Sequence, residues 1–328
     1  MTRSTGNLRL LASALLASAF VLTSCDTTAP DVSASSASAL AAAGERPECG
    51  PARPASALGA AAGSRLYVDF DDYSDGQRYR ESDAESDFGS GLSWTRSNDW
   101  TSRGNLLEVH DGALRFRLPP GIHGNGTGGK IRVPIRPRSG YYIQYRVQFE
   151  TGFDFTPPPK GSNGGKLPGM AGGDGNTGGD PGWDGKGWSA RMMWRGDRTS
   201  SPNTARLYAY IYYKGQLSCT GEYVDTGFDV TAGKQYVVRI YVGMNTKANN
   251  DGRLKVWLKE NDDPAGFGNS KASRGDILWM DNNHTIDEAL IQVFNGGGTS
   301  KWDLSTTSFI RIDDIATCHT SAECDGLL

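Results

Sequence analysis

Apolar and polar residues alternate along much of the chain after residue 64, which is the pattern of β-strands that bury one face. In residues 188–195, Trp, Ala, Met and Trp occupy one face, and Ser, Arg, Met and Arg occupy the other. Residues 207–213 divide in the same way, with three tyrosines opposite an apolar face. These two strands are therefore predicted to present serine, arginine and tyrosine side chains on a face that need not be buried.

Similar alternation recurs between turn-rich segments and predicts a further series of strands. Residues 141–149 carry Tyr, Ile, Tyr, Val and Phe on one face and Tyr, Gln, Arg and Gln on the other. Long antiparallel strands of this kind predict an all-β fold, a jelly-roll sandwich of two antiparallel sheets with a concave groove on one of them. No helical run with a convincing apolar period stands out. The predicted strands of this series are 66–70, 113–118, 130–135, 141–149, 236–242, 253–259, 289–294 and 309–315.

Residues 1–24 have the composition of a secretory signal peptide, because they hold two arginines, no acid and an apolar run too short for a comfortable membrane span. The run ends in Leu22-Thr23-Ser24-Cys25, which resembles a bacterial lipobox, in which Cys25 is acylated and becomes the first mature residue. The alternative is an ordinary signal peptide that ends near a cysteine by chance. We expect an exported lipoprotein of the bacterial cell envelope, periplasmic or surface-facing, held to the membrane by its lipid anchor.

Residues 25–63 are rich in Ala, Ser, Pro and Gly and contain few large apolar side chains. Such a segment cannot bury enough surface to offset the entropy lost on ordering, so a flexible tether is predicted. Residues 64–328 are predicted to form one large all-β domain, a size that β-sandwiches reach without splitting. We expect this domain to be monomeric.

The formal net charge is −3, and loss of the signal peptide with its two arginines takes it to −5. A mildly acidic protein is a poor binder of nucleic acid, so positive charge for any polyanion must be local to the groove. Beyond Cys25, four cysteines remain in an oxidising compartment. They are Cys49, Cys219, Cys318 and Cys324. Three pairings are possible, and Cys318 with Cys324 is plausible as a small C-terminal loop.

The segment 169–187 is glycine-rich and contains three aspartates, Asp174, Asp180 and Asp184. Their spacing fits no EF-hand, and no βαβ unit surrounds the glycines, so a plain surface loop is predicted. The four histidines are scattered without metal-ligand spacing. We therefore predict neither a metal nor a cofactor.

Three motifs occur in order within fifty central residues: GGKLPG at 164–169, SARMMWR at 189–195 and LYAY at 207–210. Together they resemble the core motifs of the polysaccharide lyase family 14 alginate and glucuronan lyases. The later FNGGG at 294–298 is similar to that family's glycine turn after a late strand. One departure is residues 196–206, a connection that is longer than usual between the second and third motifs.

This resemblance implies a β-jelly roll that cleaves uronic-acid polysaccharides of the alginate or glucuronan type by β-elimination. Family members use a lysine of the first motif, the serine and arginine of the second, and two tyrosines of the third. The corresponding catalytic residues here are Lys166, Ser189, Arg191, Tyr208 and Tyr210.

β-Elimination on a uronate requires these residue types whether or not the family resemblance is considered. The C5 proton of a uronate is weakly acidic, so the enolate needs stabilisation, and Arg191 can grip both carboxylate oxygens. A base must take the C5 proton and an acid must protonate the departing O4. Tyr208 and Tyr210 suit both tasks if nearby cations lower their pKa values from about 10. Which tyrosine is the base stays open, and Lys166 could itself be the base.

Alternation places further polar and aromatic residues on exposed faces, where they are predicted to bind an anionic polysaccharide. They are Gln144, Arg146, Arg195, Tyr212, Lys255 and Trp257. An alternative function is a non-catalytic carbohydrate-binding lipoprotein that uses the same groove. A jelly-roll glycoside hydrolase would need two carboxylates about 5 to 9 Å apart, and no ExDxxE run is present.

Overall fold

The computed structural model describes residues 66–95, 106–157, 163–175, 182–199, 201–281 and 284–327. The predicted signal peptide, Cys25, the tether and Cys49 lie outside the described residues and stay predictions. Among the helices of the described part, none is both long enough and apolar enough to cross a membrane.

Within the described residues, fifteen strands form two antiparallel sheets that pack face to face. The back sheet contains β1 (Leu66–Val68), β3 (Leu107–His110), β4 (Ala113–Leu118), β6 (Gly140–Phe149), β11 (Gln235–Gly243), β12 (Gly252–Glu260), β13 (Ala272–Ile277) and β15 (Ser308–Cys318). The front sheet contains β2 (Ser93–Thr95), β5 (Gly129–Arg138), β7 (Gly164–Gly173), β8 (Gly187–Arg195), β9 (Thr204–Tyr212), β10 (Glu222–Thr231) and β14 (Ile286–Asn295). The predicted all-β sandwich is confirmed.

The strand order places the three motifs side by side. The front sheet runs β10-β9-β8-β7-β14-β5-β2, so the motifs lie on three adjacent central strands. The back sheet runs β13-β12-β11-β6-β15-β4-β3, with β1 paired to β15. The connection predicted at residues 196–206 is shorter than expected, because β8 ends at Arg195 as predicted but β9 begins at Thr204, and a 3₁₀ turn occupies Gly196–Arg198.

The core lies between the sheets and is built from the apolar faces that alternation predicted. Tyr141, Tyr145 and Phe149 of β6 are fully buried in the same cluster as Trp188 and Trp194 of β8. Since these faces meet, the outward faces of the two sheets lie on opposite sides of the molecule.

Strand β7 departs from simple alternation. Leu167 and Met170 both lie in the core although they are three residues apart, because the register with both neighbouring strands shifts between Lys166 and Gly169. Pro168 sits within this bulge, a place where a strand tolerates a residue that has no N–H. A Cβ at Gly169 would come within 2.1 Å of the Ala190 carbonyl oxygen, so only glycine permits this approach to β8. The predicted loop at 169–187 is therefore wrong in its first part, since β7 continues to Gly173.

Two short helices complete the described structure, although no helical period was recognised in the sequence. Helix α1 spans Glu81–Phe88 and buries only Ala84 and Phe88, which is too few positions to show a period. Helix α2 spans Ser321–Asp325, and the disulfide between Cys318 and Cys324 ties it to the end of β15. The other 3₁₀ turns are Gly124–Gly126, Gly182–Asp184 and Ser300–Trp302.

Replacing Trp194 by alanine is expected to lower the melting temperature by roughly 10 °C, from a loss of about 3–5 kcal/mol. The Trp194 ring is fully buried, packs edge-on against Phe149 and Phe153, and its Nε1–H donates to Asn163 Oδ1 at 3.3 Å. Trp302→Ala is the matched control, because that ring is only partly buried. Thermal denaturation of both variants tests the placement of Trp194 in the core, and equal decreases in melting temperature would contradict that placement.

Candidate active site

The five predicted catalytic residues lie together on the outward face of the front sheet. In register across β7, β8 and β9, Lys166 lies opposite Met193 and Met193 lies opposite Tyr208. In the next row Arg191 lies opposite Tyr210, and beyond it Ser189 lies opposite Tyr212. We call this face the groove face.

Lys166 projects from β7 beside the bulge, with its amine among apolar and cationic groups. Its Nζ lies 3.0 Å from Met193 Sδ and 3.9 Å from the centroid of the Tyr210 ring. The side chain is buried, with 7% of its surface exposed. Burial lowers the pKa of Lys166 well below its usual value, and the charges of Arg191, Arg195 and Lys130 lower it further. A lysine held in this way can carry a neutral amine in the pH range where an exposed lysine is charged.

Arg191 is the most deeply buried cation of the groove face. Only 1% of its surface is exposed, and its Nη1 donates to Gln292 Oε1 of β14 at 3.0 Å. The guanidinium and the Gln292 amide together form a polar pair that can receive a carboxylate. The expectation that this face need not be buried is therefore wrong at Arg191, because the flanking strands and loops cover it.

The two tyrosines differ in exposure and in hydrogen bonding. Tyr210 is buried, and its hydroxyl accepts the Gly221 N–H at 3.0 Å and lies 3.3 Å from the Tyr212 hydroxyl. Tyr208 is half-buried, and its hydroxyl makes no hydrogen bond with any residue that the structure describes. The Tyr208 hydroxyl, rather than that of Tyr210, is therefore available to form a hydrogen bond with a ligand.

The predicted direction of the tyrosine pKa shifts is wrong. Burial is the largest cause at both residues, and it raises the pKa of Tyr208 and holds the pKa of Tyr210 well above 10. Arg191 lowers the pKa of Tyr210, and Arg198 with Arg206 lowers that of Tyr208, but these charges do not outweigh burial. Both tyrosines are therefore protonated at neutral pH and can act as proton donors.

Arg195 and Tyr212 also lie on the groove face, as predicted. The Arg195 guanidinium is held by both carboxylate oxygens of Asp197, donates to the Tyr223 hydroxyl at 2.9 Å, and lies 5.2 Å from the centroid of the Trp302 ring. These contacts anchor Arg195 at one end of the groove face, next to the row of Lys166.

The remaining four predicted binding residues do not belong to this site. Gln144 and Arg146 are on β6, and Lys255 and Trp257 are on β12, all facing outward from the back sheet. Their assignment to the same groove is corrected, because outward faces of the two sheets point away from each other. The Gln144 side chain accepts a hydrogen bond from Arg239 Nε and donates one to the Cys324 carbonyl oxygen. Arg146 forms an ion pair with Asp314.

Three residues of the site were not identified from the sequence. Gln292 is the one polar residue in the otherwise apolar stretch 289–294 of β14, and this interruption could have identified it from the sequence. Lys130 of β5 lies over the Phe294 ring at 4.0 Å, and Met193 contacts the Lys166 amine. Alternation placed Met193 on the outward face with Ser189 and Arg191, but nothing in the local sequence indicated that it would contact the lysine.

Only one group of side chains in the described ranges has metal-binding geometry, formed by Asp75, His110 and Asp111. It lies at the β3–β4 turn of the back sheet, away from the groove face. Asp174 and Asp184 of the predicted loop are described, and Asp180 is not.

Comparison with known proteins shows a family and supports the fold. The family model for polysaccharide lyase 14 matches residues 133–315, more than half of the chain. The solved alginate lyase Aly36B is 29% identical, covers 78% of this chain and 97% of its own, and superimposes with a TM-score of 0.64. A PL-14 alginate lyase from Aplysia kurodai is 17% identical over 79% of this chain and all of its own, with a TM-score of 0.57, and supports the fold. A search of curated proteins finds no match.

Two further solved structures are variants of Aly36B in complex with alginate. In one, a lysine and a tyrosine are replaced by alanine and a tetrasaccharide is bound. That structure is 28% identical, covers 79% of this chain and 98% of its own, and has a TM-score of 0.65. In the other, a lysine and a methionine are replaced and a trisaccharide is bound.

Proposed function

We propose that this chain, a polysaccharide lyase that belongs to polysaccharide lyase family 14, cleaves a uronic-acid polysaccharide of the alginate or glucuronan type by β-elimination. The observation that carries the proposal is the row of Lys166, Met193 and Tyr208 next to Arg191. It joins a lysine of lowered pKa, a protonated tyrosine and a buried guanidinium on one face. These are the three functions that elimination requires.

Arg191 with Gln292 binds the carboxylate of the uronate whose C5 proton is removed. When that proton leaves, negative charge moves from C5 onto the carboxylate oxygens. A fixed guanidinium in a buried position stabilises this charge without reorganisation, which is the form of stabilisation that contributes most in such sites. The 3.0 Å bond to Gln292 fixes the guanidinium before substrate arrives.

Lys166 is the base. Its lowered pKa provides a neutral amine whose lone pair takes the C5 proton, while a protonated lysine could not. The electrons of the C5–H bond form the C4–C5 double bond, and the C4–O4 bond breaks. The amine leaves the step as an ammonium and returns its proton to water.

Tyr208 is the acid that donates a proton to the departing O4, and the phenolate that remains regains a proton from water. Its half-exposed hydroxyl has no hydrogen-bond partner among the described residues, and its raised pKa keeps the proton in place. Tyr210 positions Lys166 through its ring, and its own hydroxyl is engaged by Gly221 and Tyr212. Lysine, methionine and tyrosine are also the residue types replaced in the alginate complexes of Aly36B, which supports these assignments.

The test is to incubate the protein with separate solutions of alginate, glucuronan and other uronans while recording ultraviolet absorbance. β-Elimination leaves a conjugated double bond at the new non-reducing end, so absorbance is expected to rise with at least one polymer. A hydrolase would release reducing ends without this absorbance, and measuring both distinguishes them. Reducing ends without absorbance, or no cleavage of any uronan, would reject the proposed reaction.

A further inference from the structure

The outward face of the back sheet carries a cluster of aromatic side chains on the opposite side of the sandwich from Lys166. Tyr142, Tyr241 and Trp257 come from β6, β11 and β12. The centroid of the Tyr142 ring lies 4.7 Å from that of Tyr241 and 6.1 Å from that of Trp257. All three side chains are partly exposed. We call these three residues the aromatic platform.

Two facing glycines shape one end of the aromatic platform. Gly140 of β6 lies opposite Gly243 of β11, one row beyond the pair of Tyr142 and Tyr241. A Cβ at Gly140 would lie 3.3 Å from the Tyr241 hydroxyl oxygen, and a Cβ at Gly243 would lie 2.9 Å from it. The Tyr241 ring therefore lies low over the backbone of the sheet, and no side chain rises between it and solvent at these two positions.

Exposed positive charge borders the aromatic platform along β12. Lys255 lies opposite Tyr241, and Arg253 lies opposite Gly243. Both side chains are exposed, and Lys255 forms no ion pair with any residue that the structure describes. In contrast, Arg239 in the next row is paired with Asp325 at 2.6 Å. Local positive charge at Lys255 is notable because the whole chain has a formal charge of −3.

We propose that the aromatic platform, with Lys255 and Arg253, is a second binding site for the same uronic-acid polysaccharide, separate from the groove face. The inference rests on the proposed function for the identity of the ligand. The C–H faces of pyranose rings stack on aromatic rings, and uronate carboxylates pair with exposed cations at the border. A neutral polysaccharide would leave the cations without partners, and the net negative charge of the chain disfavours nucleic acid, so a polyuronate fits the platform best.

Binding at the platform keeps the enzyme on a long chain between cleavage events. Because one polymer can contact both faces, attachment at the back sheet raises the effective concentration of further segments of the chain near Lys166. A short oligosaccharide reaches only one face at a time. The platform is therefore expected to matter for polymer and little for oligosaccharide.

The experiment measures polymer binding by affinity electrophoresis in gels containing alginate or glucuronan, whichever the parent cleaves faster. The starting protein carries Lys166→Met to prevent turnover. Adding Tyr241→Ala and Trp257→Ala is expected to weaken retention by the polymer about tenfold. Tyr67→Ala is the matched control, since Tyr67 is an exposed aromatic on β1 of the same sheet. Melting temperature and circular dichroism establish that each variant is folded.

A second arm uses the active protein and compares polymer with tetrasaccharide. The platform variant is expected to lower the ratio of kcat/KM on polymer to kcat/KM on tetrasaccharide. Unchanged retention and an unchanged ratio, in a parent that cleaves the polymer, would overturn the second site and leave the proposed function standing. A parent that neither binds nor cleaves any uronan would overturn both.

Discussion

Lys166→Met is expected to lower kcat on the best uronan by about 100- to 10,000-fold, the range for loss of a general base. Methionine keeps the length and the apolar stem of the side chain but has no lone pair of comparable basicity. Because the base acts only as the C5 proton leaves, kcat and kcat/KM should fall together. Initial rates of ultraviolet absorbance at saturating and low polymer concentration provide both constants.

The same substitution is expected to raise the melting temperature at neutral pH. The pKa of Lys166 in the folded protein lies well below its ordinary value of 10.5. At a pH below the folded pKa, both the folded and the unfolded chain hold the proton, and folding buries a charge at a cost. That cost is relieved as the pH rises from the folded pKa towards 10.5. The stabilisation by Lys166→Met should therefore be largest below the folded pKa of Lys166, should decline as the pH rises above that pKa, and should disappear above about pH 10.5.

Lys186→Met is the matched control, because the Lys186 side chain is 63% exposed and lies outside the groove face. It is expected to change neither kcat nor the melting temperature appreciably. A Lys166→Met protein with parental turnover would remove Lys166 from the mechanism. A lower melting temperature at neutral pH would show that contacts with Met193 and Tyr210 outweigh the cost of burial.

The strands that could be predicted are those whose side chains alternate in size and polarity. Residues 141–149 and 236–242 match β6 and β11 within one residue at either end. Strand β7 could not be predicted, because glycines and a proline carry no apolar period. Its conformation is determined by partners that are distant in sequence, such as the Ala190 carbonyl against Gly169. The local pattern of apolar and polar residues carries no information about such long-range contacts.

The candidate site shows a second limit of alternation. The pattern separates core from outward positions, and it placed Tyr208 and Trp257 correctly as outward residues. A sandwich, however, has two outward faces, and alternation does not distinguish them. Trp257 was therefore assigned to the groove, whereas strand pairing puts it on the back sheet.

The direction of the tyrosine pKa shifts depends on how deeply each side chain is buried, and the sequence does not show this. Cations near Tyr210 were expected to lower its pKa, and Arg191 does so. Yet only 5% of the Tyr210 surface is exposed, and desolvation is the larger effect. The same burial means that changes at Arg191 or Tyr210 affect folding as well as catalysis. Tyr208, which is half-buried, is the better position for testing the chemistry.

Tyr208→Phe is expected to lower kcat by about 100- to 1000-fold with little change in melting temperature. The substitution removes one hydroxyl that makes no hydrogen bond among the described residues, so no buried partner is left unpaired. Tyr210→Phe is the matched comparison. It removes the acceptor of the Gly221 N–H, which should cost about 1–3 kcal/mol of stability, while the ring beneath Lys166 remains. Its effect on kcat should be smaller.

A substrate with a better leaving group separates the acid from the base. On a uronide that carries 4-nitrophenolate at C4, departure of the leaving group needs no proton, so Tyr208→Phe is expected to recover most of the parental rate. Lys166→Met should stay inactive on this substrate, because the C5 proton must still be removed. If Tyr210→Phe shows the large loss on polymer and the recovery on the nitrophenyl uronide, Tyr210 is the acid and the assignment of Tyr208 is wrong. If neither variant recovers, neither tyrosine protonates O4.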